Sequence, residues 1–377
     1  MGKSFSTYLD VLRVTASMLV VLEHAALLGL LPSLGVATAL SHESVMVFFV
    51  LSGLVIASSS RSRQATAREY VAARAARVLS VALPALICCF GCSVALQTGS
   101  ASPRLTAVQF TSAALFMNGV WTNYLEVPFN GPFWSLCHEV WYYACWGVLR
   151  FTGRRHVRIA GAALVLVAMG PAFAALFGLW LLGAFIASRQ EQSAALLRRV
   201  PRWGVHALLI GSVLGVVFIG ASSLEGNVRD LLRTHVHGWW RMRSAEYVLT
   251  DYAIGALMAI HLITAAYLFG DGRRFAESRV GRLVRYCAGF TFTLYLFHYP
   301  LLLALRALRA PQPASLGVGL GSIAATLVGV WVVGFATERQ LPRWRCVVRM
   351  MVDTVARGTR ALRTLHIAPA AAVLHRG

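Results

Sequence analysis

The dominant constraint in this sequence is a succession of long apolar stretches separated by short arginine-bearing ones. A helix needs about 20 mostly apolar residues to cross a bilayer. Segments 7–31, 43–60, 76–98, 132–150, 157–171, 172–188, 204–222, 248–270, 286–308 and 314–336 meet or approach that requirement. Only 13% of the residues are charged and 57% are hydrophobic, whereas soluble domains carry about 25% charged residues. The backbone of a chain buried in lipid must satisfy its own hydrogen bonds. The predicted fold class is therefore all-α: a polytopic membrane helical bundle of about ten transmembrane helices. The apolar stretch 105–120 is too short to span and is expected to be re-entrant or interfacial. Residues 1–340 form the membrane domain, and 341–377 a basic tail.

The net charge of +20 comes almost wholly from arginine, since Lys3 is the one lysine. Because the arginines lie between apolar stretches, the charge reads as topological and not as a nucleic-acid-binding surface. One set of alternate loops holds Arg61, Arg63, Arg68, Arg74 and Arg77, then Arg150, Arg154, Arg155 and Arg158, then Arg189, Arg198, Arg199 and Arg202, then Arg273, Arg274, Arg279, Arg282 and Arg285. The opposite loops hold Arg104, then Arg229, Arg233, Arg241 and Arg243, interleaved with Glu225, Asp230 and Glu246, then Arg309. Positive-inside bias puts the richer set, and both termini, in the cytoplasm. The amphipathic arginine-rich tail is expected to lie against anionic lipid. Residues 7–31 read as a retained first span, not a cleaved signal, because Asp10, Arg13, Glu23 and His24 interrupt the run. Cys88, Cys89 and Cys92 lack a nearby His or acid within their segment and read as packed thiols. No metal site and no disulfide framework is expected.

Ionisable side chains at bilayer depth cost about 2.5–3.5 kcal/mol on insertion scales and mark functional positions. Arg13 and His24 are eleven residues apart, which places them on one helix face roughly 16 Å apart along the axis. With the N-terminus inside, Arg13 is near the cytoplasmic surface and His24 deeper, with Glu23 adjacent. A second cluster, Phe133-Trp134-Ser135-Leu136-Cys137-His138-Glu139, puts Ser135 and Glu139 on one face at i,i+4. A third, Leu294-Tyr295-Leu296-Phe297-His298-Tyr299-Pro300, joins a histidine to a helix-kinking proline. Arg74 and Arg77 share a face at i,i+3, and guanidinium groups suit forked contacts with phosphate. His42, Glu43, Asp251, His261, Arg306 and Glu338 are lesser candidates with expected packing roles. Gly317-Val318-Gly319-Leu320-Gly321 follows no strand and reads as close helix packing, not a nucleotide loop.

These clusters, in this order, resemble the acyltransferase-3 family of membrane enzymes, which includes bacterial O-antigen and exopolysaccharide O-acetyltransferases. Tyr8-Leu9-Asp10-Val11-Leu12-Arg13 through His24 resembles its first-span signature. Phe48-Phe49-Val50-Leu51-Ser52-Gly53-Leu54 resembles its FFVLSG motif, Arg74 and Arg77 followed by Pro84 its R-x-x-R, and Trp134 to Glu139 its W-S-L-x-x-E. Leu294 to Pro300 resembles its Y-L-x-H-x-P, and Thr337-Glu338 its terminal Glu motif. The likeness covers residues 7–340. Val14 stands where many members have glycine, and no appended hydrolase-like domain is seen.

The resemblance implies a bacterial inner-membrane O-acyltransferase with His24 as catalytic base and Arg13, Arg74 and Arg77 near an acyl-CoA donor. No bound cofactor is implied; acetyl-CoA or another acyl-CoA is a substrate. The other partners implied are a carbohydrate or glycolipid acceptor and the lipid bilayer; oligomeric state stays open. Imidazole, with a pKa of about 6.5, is a usable base at neutral pH. Glu139 is the candidate to hold the His24 tautomer, with Glu23, Trp134, Ser135, His298 and Glu338 in binding or supporting roles. A glycan or lipid transporter, and a non-catalytic partner in polysaccharide assembly, are the alternative readings. A surface polysaccharide, a lipid-linked sugar, a signal oligosaccharide and a glycosylated natural product all remain open as acceptors.

Overall fold

The computed structural model describes residues 2–61, 66–95, 103–121, 124–270, 273–308 and 313–367. Arg63, Arg309 and tail residues 368–377 lie outside the described residues. The chain runs through α1 (Lys3–Leu27), α2 (Ser41–Arg61), α3 (Ala67–Ala95), α4 (Pro103–Ala114), α5 (Trp134–Phe151), α6 (Arg155–Met169), α7 (Pro171–Ser188) and α8 (Gln190–Leu197). It continues through α9 (Arg202–Ala221), α10 (Leu224–His235), α11 (Val248–Phe269), α12 (Arg274–Glu277), α13 (Arg279–Ala288), α14 (Thr291–Ala307), α15 (Leu316–Ala336) and α16 (Leu341–Ile367). Among the described residues no strand occurs.

Seven helices are long and apolar enough to cross a membrane, or up to eight if the bent pair α13 and α14 counts as one span. The expected ten are not all matched by length and composition. At 1.5 Å per residue α6 reaches about 22 Å, short of the roughly 30 Å hydrocarbon core. The positive φ of Gly170, +104°, breaks α6 from α7, and Pro171 starts the new helix where its missing N–H costs nothing. α5 has 18 residues but carries His138, Glu139 and Arg150. The stretch 105–120 becomes the short α4 and a connection, not a span.

α2 is the central element, packed on α1, α7 and α11. It meets α7 backbone to backbone. A Cβ on Gly53 would strike the Trp180 carbonyl, and one on Gly183 would strike the Val50 carbonyl and Leu54 N. The glycine of the FFVLSG segment thus lets the two helices touch and lets Trp180 reach Ser52. At the periphery, Ile210, Leu214 and Phe218 of α9 and Val328, Val332 and Phe335 of α15 stay exposed. Apolar faces of that extent need a lipid solvent. α16 lies on α3, where Val348 packs against Ala72 and Ala76.

α13 and α14 meet at a bend of 57°, and Pro300 lies inside α14. Proline removes the N–H that would bond four residues back, which frees the Leu296 carbonyl. The fully buried Asn130 donates to that carbonyl through Nδ2 at 3.0 Å.

Candidate active site

Side chains of α1, α2, α3, α5, α14 and α16 enclose a cavity of about 270 Å3. Its lining holds Arg13, Arg74, Arg77 and Arg345, with Glu139 as the one carboxylate among them. Arg13 pairs with Asp10 at 3.4 Å and Arg77 with Glu338 at 3.5 Å. Among the described residues, Arg74 and Arg345 have no carboxylate within 4 Å. A pocket with that surplus of guanidinium is matched to an anion carrying several negative charges. Glu338 also accepts from Thr293 N at 3.1 Å and Thr293 Oγ1 at 3.2 Å. It thereby caps the first turn of α14 while holding Arg77.

Glu139 is held at the cavity wall. Ser52 Oγ donates to it at 2.7 Å, Tyr143 OH donates to the same oxygen, and Trp180 Nε1 donates to Ser52 at 3.2 Å. Ser135 Oγ lies 2.5 Å from Tyr295 OH, which donates to the Pro132 carbonyl at 3.0 Å. The expected pairing of Glu139 with His24 is not what the structure shows. Glu139 faces α2 at the level of Arg13, and His24 is eleven residues further along α1.

His24 meets a different partner. His298 Nε2 lies 3.3 Å from His24 Nδ1, with ring centroids 5.1 Å apart. The Val20 carbonyl lies 2.8 Å from His24 Nδ1, and the Leu294 carbonyl 3.0 Å from His298 Nδ1. A carbonyl only accepts, so both Nδ1 atoms carry the hydrogen. His298 Nε2 then shares, as the longer of two acceptors, the one hydrogen that His24 Nδ1 donates to the Val20 carbonyl, and His24 Nε2 is left with a free lone pair. Tyr299 packs edge-on against His24 at 5.1 Å.

A second cavity, about 680 Å3, lies at the other end of α3 and α14. α3 contributes Arg74 to Val78 to the first cavity and Phe90 to Val94 to the second. On α14, Thr291 to Tyr295 line the first, Tyr299 and Leu303 the second, and His298 sits between. Glu126, Gln109, Phe129 and Asn130 complete the second cavity. The buried oxygens of Gln109 and Asn130 have no partner there.

The remaining candidates fall elsewhere. Glu23 accepts from Ser41 N at 2.6 Å and so caps α2. Trp134 lies edge-on to His138 at 5.3 Å, and His138 stacks on Phe173 at 3.9 Å and reaches Ser244. His261 bonds Tyr8 OH at 2.7 Å. Sequence reasoning missed Arg345, which α16 delivers, and Tyr143, although its place one turn beyond Glu139 was a usable signal. Ser52 and Tyr295 lay inside quoted motifs without a role. Against the expectation of no metal site stands one grouping, His42, Glu225 and Asp251, whose donor atoms lie within 4.8 Å of one another.

Residues 6–335 match the family model described as an acyltransferase domain, acyltransferase-3. No curated protein and no solved structure matches the chain. The match spans nearly the whole chain, so this protein belongs to the acyltransferase-3 family and is a multi-pass membrane acyltransferase.

Proposed function

We propose that this acyltransferase moves an acyl group, acetyl in the simplest case, from acyl-CoA to a hydroxyl of a carbohydrate-containing acceptor, with His24 as the base. The observation that carries this reading is the position of the His24–His298 pair between an arginine-lined cavity and a second cavity at the opposite end of α14. Arg74, Arg77 and Arg345 are matched to the phosphates of a CoA donor, with Arg13 beside them in the same cavity and on the helix that carries His24. The second cavity, with Phe90, Phe129 and Tyr299 for stacking and Glu126 and Gln109 for hydroxyls, suits a sugar.

The reaction needs one base and one path for the proton. The acceptor hydroxyl gives its proton to His24 Nε2, and its oxygen bonds to the thioester carbonyl carbon. The C–S bond then breaks and the departing thiolate takes the proton from His24, which returns the imidazole to its starting tautomer. His298 accepts from His24 Nδ1–H throughout and stabilises the imidazolium by orientation and hydrogen bonding. Glu139, fixed by Ser52 and Tyr143, serves the arginine cavity and not the base. The arginine-rich loops and the arginine-lined cavity share the ends of α1 and α3, which supports a donor that enters from the cytoplasm.

Mass spectrometry of surface glycans tests this in cells carrying the wild type, His24→Ala or no protein. An acyl increment found with the wild type alone is the expected result. An increment of equal size with His24→Ala overturns the assignment of the base.

A further inference from the structure

The first turns of three helices converge at the opposite end of α2 from its arginine-rich loop. α2 brings His42 and Glu43, α10 brings Glu225, and α11 brings Asp251. His42 Nε2 and Asp251 Oδ1 are 2.7 Å apart, and one donor atom each of His42, Glu225 and Asp251 lies within 4.8 Å of the others. Asp251 is fully buried and Glu43 is 3% exposed. Asp251 Oδ2, Glu43 Oε2 and Glu225 Oε1 are all buried without a hydrogen-bond partner. The nearby arginines are engaged elsewhere: Arg229 with Asp230 and Tyr247, Arg233 with Glu246. Among the described residues, the one ion pair inside the cluster is His42 with Asp251.

Orphaned carboxylate oxygens are costly at this depth. Three helix N-termini, each worth about half a positive charge, favour the carboxylates as anions but leave these particular oxygens unbonded. One imidazole with two or three carboxylates is the donor chemistry of a zinc-type divalent cation.

The geometry points to a divalent-cation site, zinc-type, with His42 Nε2, Glu225 and Asp251 as ligands and Glu43 beside them as a further carboxylate. Atoms about 2.0–2.2 Å from one zinc ion are at most about 4.4 Å apart, so the observed spread closes onto an ion with small side-chain adjustments. The cation takes the place of the proton shared by His42 Nε2 and Asp251 Oδ1, and binding releases that proton. Its role is a clamp. It ties the α10 connection to α2 and α11. Because Glu23 accepts from Ser41 N, it also steadies the turn of α1 that carries His24.

The test uses the full-length protein purified in detergent through a tag without histidine, dialysed against zinc and then against zinc-free buffer. Elemental analysis is expected to find about one zinc per chain in the wild type and less than about a tenth of that in Asp251→Asn and His42→Gln. Chelation is expected to lower the Tm of the wild type and leave those variants unchanged. If Asp251→Asn fails to fold, Glu225→Gln, on the partly exposed ligand, supplies the comparison. A wild type that retains no zinc and whose Tm ignores both zinc and chelator overturns the proposal and leaves the cluster to shared protons. Zinc retained equally by every variant overturns it as well.

Discussion

His298 Nε2 stands 3.3 Å from His24 Nδ1, and each of these rings has its own helix carbonyl on Nδ1. The two carbonyls fix both tautomers and leave His24 Nε2 free, and His298 Nε2 is a second, longer acceptor for the one hydrogen that His24 Nδ1 donates to the Val20 carbonyl. Loss of a general base costs typically 10²–10⁴-fold in rate, and His24→Ala is expected to fall in that range. His298→Leu removes the second acceptor and leaves the Val20 carbonyl, and is expected to lower kcat by up to about tenfold, the scale of one weakened hydrogen bond to a group that becomes charged. His298→Gln, whose amide oxygen can accept, is expected to recover part of that loss. Steady-state kinetics on the purified variants, with KM unchanged in the His298 pair, checks the distinction. Equal activity of His298→Leu and the wild type would remove His298 from the mechanism.

The arginine cavity makes a separate claim about the donor. Arg74 and Arg345 have no carboxylate partner within 4 Å among the described residues, so their charge is available to a ligand. A hydrogen bond to a charged group contributes about 1.5–3 kcal/mol, and about 1.4 kcal/mol is tenfold. Arg74→Gln and Arg345→Gln are each expected to raise KM for acetyl-CoA by about tenfold or more, with kcat nearly unchanged. Acetyl-pantetheine lacks the nucleotide phosphates. With that donor the variants and the wild type are expected to coincide. An equal loss with both donors would place these arginines in packing and not in phosphate binding.

Much of this site was legible because short motifs carried it. Arg13, Arg74, Arg77, Ser135 and Glu139 come from three separate segments and line one cavity. Arg345 was not legible, since it belongs to a tail whose composition reads as lipid-facing and whose docking on α3 depends on Ala72, Ala76 and Val348. The partner of Glu139 was misassigned for a related reason. Helical spacing says which residues share a face, but not which level of a neighbouring helix that face meets. The span count is not confirmed where hydropathy and length part company: α6 is apolar but short, and α5 is long enough but carries His138, Glu139 and Arg150. His42 and Asp251 are separated by 209 positions, and no periodicity connects them.

The contact of α2 with α7 is close enough to be tested by one methyl group. Gly53 faces the Trp180 carbonyl with no room for a Cβ, while Gly91 of α3 faces open space. Overpacking a well-packed interior costs typically 1–3 kcal/mol, and here the obstacle is backbone, which cannot rotate away. Gly53→Ala is expected to lower the Tm of the detergent-solubilised protein by several degrees and to weaken activity through displacement of Ser52. Gly91→Ala is expected to leave both within error. Thermal unfolding followed by tryptophan fluorescence checks this, because Trp180 sits at the contact. A Gly53→Ala protein as stable as Gly91→Ala would mean that α2 and α7 are further apart than the structure places them.

Asn130 and Pro300 form a pair whose logic predicts a compensation. Pro300 leaves the Leu296 carbonyl without its helical donor, and Asn130 Nδ2 supplies one at 3.0 Å. Asn130→Ala therefore strands a buried acceptor at a cost of about 1–3 kcal/mol. Pro300→Ala restores a backbone N–H four residues along from that carbonyl. It makes the Asn130 contribution redundant. The double variant Asn130→Ala with Pro300→Ala is expected to be more stable than Asn130→Ala alone, with a coupling of about 1 kcal/mol or more between the two positions, as contacting residues show. Additive effects on stability would show that Asn130 does not serve the carbonyl that Pro300 frees.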